Sequence, residues 1–440
     1  MSEQEVLCTL RPSTELQDRL CMAVDELEAL VKASIGRSGL PLSTMLVGSV
    51  AKGTYVGQPD IDLFMLFPVE TERSELERVG LRIGEDVLRG EVRYAEHPYM
   101  HGTFKGFEVD LVPCFEITDT TALRSAVDRT PFHTRYVLGK LTDEMRDQVR
   151  LLKRFMKGIG VYGAEARVQG FSGYLTELLI IRFGDFAGVV RSAKGWRPGA
   201  IMDVEGQIKG GGEAPLTFHD PVDLKRNVAS ALTLDQFGLF IHACQEYSVS
   251  PNDRFFFPRE RPVMDLTDIE RSFRARGTSP LVVKLPRPDL VDDNLYPQVQ
   301  RSLLGLRKLL ESYDFVVLDQ SYDVGKDVRM AFELELDPLP KGKLHQGPPV
   351  WTGNSIEFVE KWHEKGLGQP FLSDGKWQVF ISREFQRSEV LLMTKGREAS
   401  LGNNFRELTG IRCYPGKKAY MAGNRPLLTK MLDKRENWRV

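Results

Sequence analysis

The chain lacks a bilayer-length apolar run, a cysteine framework and a dominant charge, and each absence removes a class of protein. A spanning helix needs about 20 mostly apolar residues, and no such stretch occurs in the 440 residues, so no membrane partner is expected. The start, MSEQEVLCTLRPSTELQ, lacks a basic segment followed by an apolar one, so the cytoplasm is the expected location. The five cysteines, Cys8, Cys21, Cys114, Cys244 and Cys413, are odd in number and never spaced C-x-x-C. That excludes a zinc ribbon or a redox pair, and reduced structural thiols are expected. His97 and His101 have the i, i+4 spacing of a helical metal site, but Pro98 and Gly102 break a helix there, so zinc is not expected. A net charge of −2, with 27% charged and 42% apolar residues, describes an ordinary soluble protein with real cores. Its length suits about three domains.

The most informative stretch is MLVGSVAKGTYVGQPDIDLFMLF, residues 45–67. A short apolar run breaks sharply at Gly48-Ser49, where the chain must turn into a loop or a helix start. Glycine there lets backbone approach a ligand closely, and free N–H groups at a helix start attract phosphate oxygens. Ser49 adds a hydroxyl and Lys52 a cation. After Gln58-Pro59, Ile61, Leu63, Met65 and Phe67 fall on one face of a strand, with Asp60 and Asp62 on the other. Two carboxylates held that close repel unless a cation separates them, and hard oxygen ligands suit Mg²⁺ bridging to nucleotide phosphates.

A third carboxylate, Asp110, lies in the apolar strand FEVDLVP, opposite the Val109 and Leu111 face. Three carboxylates on neighbouring strands can hold two metals, the requirement for in-line nucleotidyl transfer. A lone D-x-D is commonly a solvated strand end. The glycine turn before this one and the strand carboxylate after it favour the catalytic reading.

GSVAKGT, DID and VDLVP resemble the nucleotidyltransferase superfamily that includes polymerase β. SAVDRTPFH (125–133), RLLK (150–153), VYGAE (161–165), GFSGYL (170–175) and DPVDLKRNV (220–228) resemble the archaeal (class I) CCA-adding enzymes. The motif match runs through roughly residues 40–300, with architecture alone beyond that. The resemblance implies addition of C, C and A to a tRNA 3′ end from CTP and ATP, with release of pyrophosphate. It also implies nucleotide contacts from Lys153, Tyr162 and Arg226, with Thr130 and His133 from the preceding loop. Asp60, Asp62 and Asp110 would be both catalytic residues and Mg²⁺ ligands, and Gly48, Ser49 and Lys52 would bind nucleotide. Asp110 is best placed to help activate the 3′-hydroxyl. The chemistry suits these roles: Lys153 is a point charge for a triphosphate, Tyr162 can stack or donate, and Arg226 offers a planar fork to a base edge. A poly(A) polymerase or another nucleotidyltransferase of the superfamily is the alternative, and a catalytically silent RNA-binding protein the third reading. The sequence leaves a homodimer open.

The expected fold class is α+β and multidomain. A polymerase β-like head with a mixed sheet spans 1–142, a helical nucleotide-binding neck 143–255, and a body and tail of RRM- or ferredoxin-like character, binding tRNA, 256–440. In the head, Leu16, Leu20, Val24, Leu27 and Val31 repeat at helical spacing, with Asp25, Glu26 and Glu28 on a solvated face. A second helix is expected over 74–89 and strands over 92–95 and 107–113. The EDVLR at 85–89 spells the EDxxR base-pairing signature of class II enzymes, but it precedes Asp110 and reads as a helix's polar face. Helical patterns dominate 143–247, and Gly210-Gly211-Gly212, lacking a following Lys-Ser/Thr, reads as a loop. Strands over 281–285, 315–322, 328–336 and 377–381, with helices over 298–310 and 355–362, give the order βαββαβ. No aromatic RNP signature accompanies it, so any RNA contact there is expected to read shape. Residues 383–440 carry 13 Lys and Arg against 6 Asp and Glu, interleaved with Phe405, Tyr414, Tyr420 and Trp438. That pattern predicts a backbone-tracking RNA surface.

Overall fold

The structure, a computed structural model, describes residues 1–94, 97–208, 210–406 and 410–440. Among the described residues no helix is long and apolar enough to cross a membrane. All five cysteines are free, with Cys8 and Cys21 exposed and Cys114, Cys244 and Cys413 buried. The chain divides into two compact units, Met1–Glu260 with Glu436–Val440, and Arg261–Arg435.

The first unit begins with α1 (Glu3–Leu10) and α2 (Thr14–Ser38), then alternates β1 (Ser43–Val47), α3 (Gly48–Lys52), β2 (Ile61–Phe67), α4 (Arg73–Leu88), β3 (Glu91–Tyr94), β4 (Pro98–Phe104) and β5 (Phe107–Phe115). Ala95, expected in a strand, lies outside the described residues. The five strands form one mixed sheet in the order β1-β2-β5-β4-β3, in which only β2 and β5 run parallel. Period-two alternation sorts the side chains. Ile61, Leu63, Met65 and Phe67 are all fully buried in one core with α2 and α4, while Phe64 and Leu66 pack on the opposite face with Val47, Val112 and Cys114. Truncating one such side chain, Phe67→Ala for instance, costs ~3–5 kcal/mol. On α4 the EDVLR stretch is structural: Asp86 accepts from Ser34 at 2.9 Å and from Arg37 at 3.1 Å, tying α4 to α2. The acidic face of α2 is partly ion-paired, Glu26 with Lys105 and Glu28 with Lys32.

Helices α5 (Thr130–Lys140), α6 (Asp143–Ile159), α7 (Gly173–Phe183), α8 (Phe186–Ala193) and α9 (Leu234–Val249) build a second core. Thr142, Ser172, Asp185 and Thr233 cap the last four with side-chain oxygens. Aromatic rings fill the centre, where Phe155 touches Phe186, Phe240, Tyr247, Phe255 and Phe256. Inserted between α8 and α9 is a three-stranded sheet of β6 (Ala200–Met202), β7 (Leu216–Asp220) and β8 (Asp223–Asn227) that helical periodicity did not announce. Gly211 and Gly212 border it, bonded to Ala200 and Gly199.

The second unit contains α10 (Leu266–Arg276), β9 (Ser279–Pro286), α11 (Asp292–Ser312), β10 (Val317–Val324), β11 (Asp327–Leu334), β12 (Gly342–Pro349), α12 (Ser355–Lys365), β13 (Phe371–Ser373), β14 (Lys376–Ser382), α13 (Ser388–Lys395), α14 (Asn403–Arg406), β15 (Arg412–Pro415) and α15 (Arg425–Leu432). A ferredoxin-like βαββαβ is present, in the strand order β10-β11-β9-β15, but its second half differs from the expected one. Helix α12 and strand β14, expected to complete the sheet, instead form a separate layer in which β14 pairs with β12 and β13. The completing elements are α13 and β15, the latter pairing with β9. Periodicity reports the type of an element and not its partner, and a four-residue strand such as β15 has too few residues to display a period. Alternation along β9 then divides two cores. Leu281, Val283 and Leu285 face α11 and α13, and Val282 faces α10 and α15.

The aromatic residues of the basic segment are core residues, which corrects their expected place on an RNA surface. Phe405 is 1% exposed and Trp438 4%, while Tyr414 and Tyr420 pack against the α10–α15 core. Several of the cations are ion-paired, Arg383 with Asp314, Lys418 with Glu389 and Arg425 with Asp265, and Lys417 is exposed. Arg439 pairs with Glu246 and so belongs to the first unit. The sequence pattern mixed two different environments because amphipathic side chains serve cores and surfaces alike.

Candidate active site

At the end of β1 the chain turns into α3 through Gly48, whose φ of 71° is a conformation that L side chains rarely adopt. A Cβ at this position would stand 1.9 Å from Asp62 Oδ2. The turn therefore needs glycine twice, for its dihedral and for the approach of the carboxylate.

In the parallel register of β2 with β5, Asp62 lies directly opposite Asp110. Asp60 sits exposed, one residue before β2 begins. Burial pushes the Asp62 carboxyl up to about 7, the neighbouring Asp110 and Asp60 add to the shift, and Lys52 opposes it. A carboxylate so placed is short of positive charge. Across the next strand, His101 on β4 faces Asp110, with Nδ1 2.6 Å from Oδ1. The histidine that sequence spacing offered as half of a zinc pair is thus a partner of the third carboxylate. Among the described residues no three His, Cys, Asp or Glu side chains stand together as a group that could hold a metal ion. Mg²⁺ needs no group of three: one or two carboxylates hold it, and water and substrate phosphates complete its shell. Asp62 and Asp110, paired across β2 and β5, offer oxygen donors of that kind, and Asp60 stands two residues before Asp62.

Behind the turn lies a buried charge cluster centred on Glu177 of α7, 1% exposed. Its Oε2 accepts from Lys52 at 2.6 Å, and its Oε1 accepts from Thr54 at 2.6 Å and from Lys153 at 3.4 Å. Lys153, 3% exposed, also donates to the Thr54 carbonyl and hydroxyl, each at 3.1 Å. Burial favours the neutral form of both charged types, and the outcomes differ. The Glu177 carboxyl ends below its ordinary range because Lys153 and Lys52 outweigh burial, while Lys153 is lowered because burial and Lys52 outweigh Glu177. Two ammonium groups share one carboxylate. Tyr162 is half-buried nearby: a Cβ on Gly173 would meet its hydroxyl at 3.0 Å and Lys153 Nζ at 3.8 Å.

A second buried carboxylate, Asp220 at the end of β7, gathers the other nominated residues. Fully buried, it accepts from His133 Nε2 at 2.8 Å, Arg226 Nη1 at 2.9 Å, the Tyr174 hydroxyl at 3.0 Å and the Val222 N–H at 3.1 Å. Burial lowers the His133 pKa despite Asp220, with Arg226 and Lys52 adding to the effect. Thr130 and His133, expected in a loop, lie instead one turn apart on α5, where Pro131 in the first turn starts a helix and does not break it. Tyr174 joins the two clusters, stacked on the His133 ring at 4.0 Å and lying under Lys52 Nζ at 5.9 Å. The structure thus brings Gly48 beside Asp62, with Ser49 following it on α3, Lys52 and Lys153 onto one carboxylate, and His133 and Arg226 onto another. Sequence reasoning gave no role to His101, Tyr174, Glu177 or Asp220. Glu177 did leave a signal, a lone acid in the apolar helix GYLTELLIIRF, where a buried charge must be paired.

Three family matches cover most of the chain: the nucleotidyltransferase domain at residues 29–133, the second domain of tRNA nucleotidyltransferase at 147–257, and the C-terminal domain of CCA-adding enzyme at 276–411. The chain is 40% identical to a CCA-adding enzyme of Methanosarcina barkeri, over 90% of this chain and 89% of that one. It is 42% identical to one from Methanothermobacter thermautotrophicus, over 82% and 81%. Among solved structures, the Cid1 poly(U) polymerase is similar with a TM-score of 0.45 and 15% identity, over 58% of this chain and 96% of that one.

Proposed function

From the premise that the chain belongs to the CCA-adding enzymes of archaeal type, nucleotidyltransferases that extend the tRNA 3′ end with C, C and A, we propose how its residues divide the work. Asp60, Asp62 and Asp110 are the catalytic carboxylates and the Mg²⁺ ligands. The observation that carries this reading is the Asp62–Asp110 register across β2 and β5, beside a glycine turn that Asp62 itself keeps free of a side chain. Bound Mg²⁺ would supply charge neutralisation at the phosphorus and acidify the attacking hydroxyl. Asp110 would help to activate that 3′-hydroxyl. Gly48 and Ser49 offer N–H and hydroxyl donors to the phosphate oxygens, since the first N–H groups of a helix have no partner within it. Lys52 and Lys153 contribute the excess positive charge that Glu177 leaves over, which suits a triphosphate and the departing pyrophosphate. Thr130, His133, Tyr162 and Arg226 surround the nucleoside, with Arg226 reading the base of CTP or ATP.

The division into a head at 1–142, a neck at 143–255 and a tRNA-binding body and tail at 256–440 belongs to the same proposal, as does a cytoplasmic location. The test is Asp110→Asn. Its turnover should fall by at least ~10³-fold with tRNA affinity, read by filter binding, nearly unchanged, because a metal ligand acts chiefly in the transition state. Turnover within tenfold of the parent would remove Asp110 from the reaction.

A further inference from the structure

We infer that Asp220 is a positioning residue for base selection, acting through Arg226, whose guanidinium it aims at the edge of the incoming nucleotide base. This rests on the reading of Arg226 as the residue that contacts the base.

A guanidinium on a flexible stem reads a base only if its plane is held, because a free fork spends binding energy on becoming ordered. Arg226 has one end held. Its Nη1 is 2.9 Å from Asp220 Oδ2, and its side chain keeps 36% exposure against none for Asp220. The anchor is itself immobile, since Tyr174, His133 and the Val222 N–H all donate to the same carboxylate. These donors come from α7, α5 and the β7–β8 turn, so the fork is referenced to three separate pieces of the fold. With Nη1 engaged, the remaining N–H groups have no hydrogen-bond partner among the described residues and can meet a ligand. Arg226 also lines a cavity with Thr120, Leu123, Arg129 and Asp223, where Arg129 is tied to Asp223 at 2.9 Å and does not compete for Asp220. Asparagine could not substitute. It has a single acceptor oxygen, so its amide N–H groups would face either His133 and Arg226, which share Oδ2, or Tyr174 and the Val222 N–H, which share Oδ1.

The competing account is that Asp220 only staples the fold. Selectivity separates the two, because a staple lowers the rate for every nucleotide alike. kcat/KM would be measured for CTP, ATP, UTP and GTP on tRNA lacking its terminal nucleotides, in Asp220→Asn, Arg226→Ala and the double variant. Asp220→Asn should lower the CTP over UTP ratio about tenfold, the scale of one lost bond to a charged group. Arg226→Ala should lower the ratio at least as much, and the double variant no further, since two residues acting through one contact are not additive. Full additivity overturns the inference. So does an unchanged ratio in Asp220→Asn while Arg226→Ala loses selectivity. If Arg226→Ala itself keeps the ratio, the reading of Arg226 fails first and the inference falls with it. Should Asp220→Asn not fold, Asp220→Glu retains charge and acceptors but displaces the fork by a methylene. The same loss of ratio is expected there, and an unchanged ratio overturns the inference.

Discussion

Asp62, half-buried, and Glu177, fully buried, are both acids of the first unit, and their surroundings push them in opposite directions. Asp62 faces Asp110 and is raised to about 7 by burial and like charge. Glu177 is more deeply enclosed yet held below its ordinary range, because Lys153 and Lys52 reach it. A carboxylate kept above its usual pKa has more burial and like charge around it than its neighbouring cation offsets, whereas one kept below it is already satisfied. The first is the pattern of a ligand and the second that of a support.

The sharpest way to break this contrast is Asp62→Asn, which should lower turnover by at least ~10³-fold with tRNA binding intact, since the support cannot replace the ligand. An active variant would leave Asp62 a strand-end acid. Glu177→Gln should act on stability instead. It leaves two buried ammonium groups without a counter-charge, and urea unfolding should show a loss of ~3–5 kcal/mol. A loss below ~1 kcal/mol would mean that the lysines find other partners and that Glu177 is no support.

Stability against pH, in protein freed of divalent cations with EDTA, sharpens the contrast further. With a folded pKa near 7 against 3.8 unfolded, Asp62 holds its proton more tightly in the native state, so it contributes stability below about pH 4 that is lost as pH rises to about 7. Asp62→Asn should therefore be more stable than the parent at pH 8, by a few kcal/mol at most, and no different at pH 4. Saturating Mg²⁺ should close the gap at pH 8. Glu177, with a lowered pKa, has the opposite sign: its contribution is present above its unfolded value of 4.5 and lost as pH falls. A gap at pH 8 that ignored Mg²⁺ would count against Asp62 as a ligand.

The smallest effect is expected far along the chain from both acids. Lys417→Glu with Lys418→Glu should weaken binding of all tRNAs alike and flatten log affinity against log salt by about one unit per lost phosphate contact, with turnover at saturating tRNA near normal. An unchanged slope would show that these lysines only face solvent, Lys418 serving Glu389.

By itself the sequence determined whatever is local in the chain. The strand-face positions of Asp62 and Asp110 were legible because strand period two places a residue on a face without reference to any other segment, and the turn at Gly48 because a turn that tight admits few residues, whereas Asp60, expected on the same strand face, stands just before the strand. The helices α2, α4 and α6 were legible because each carries several turns of apolar repeat. Family resemblance added Lys153, Tyr162, His133 and Arg226 as names without partners. Only tertiary structure decided the partners. Glu177 meets Lys52 across 125 residues of chain and Asp220 meets His133 across 87, and no periodicity encodes which distant element supplies a counter-charge. Tertiary structure likewise moved α12 and β14 out of the ferredoxin-like sheet and put α13 and β15 in it, because an amphipathic face specifies that it must be covered and leaves open by what.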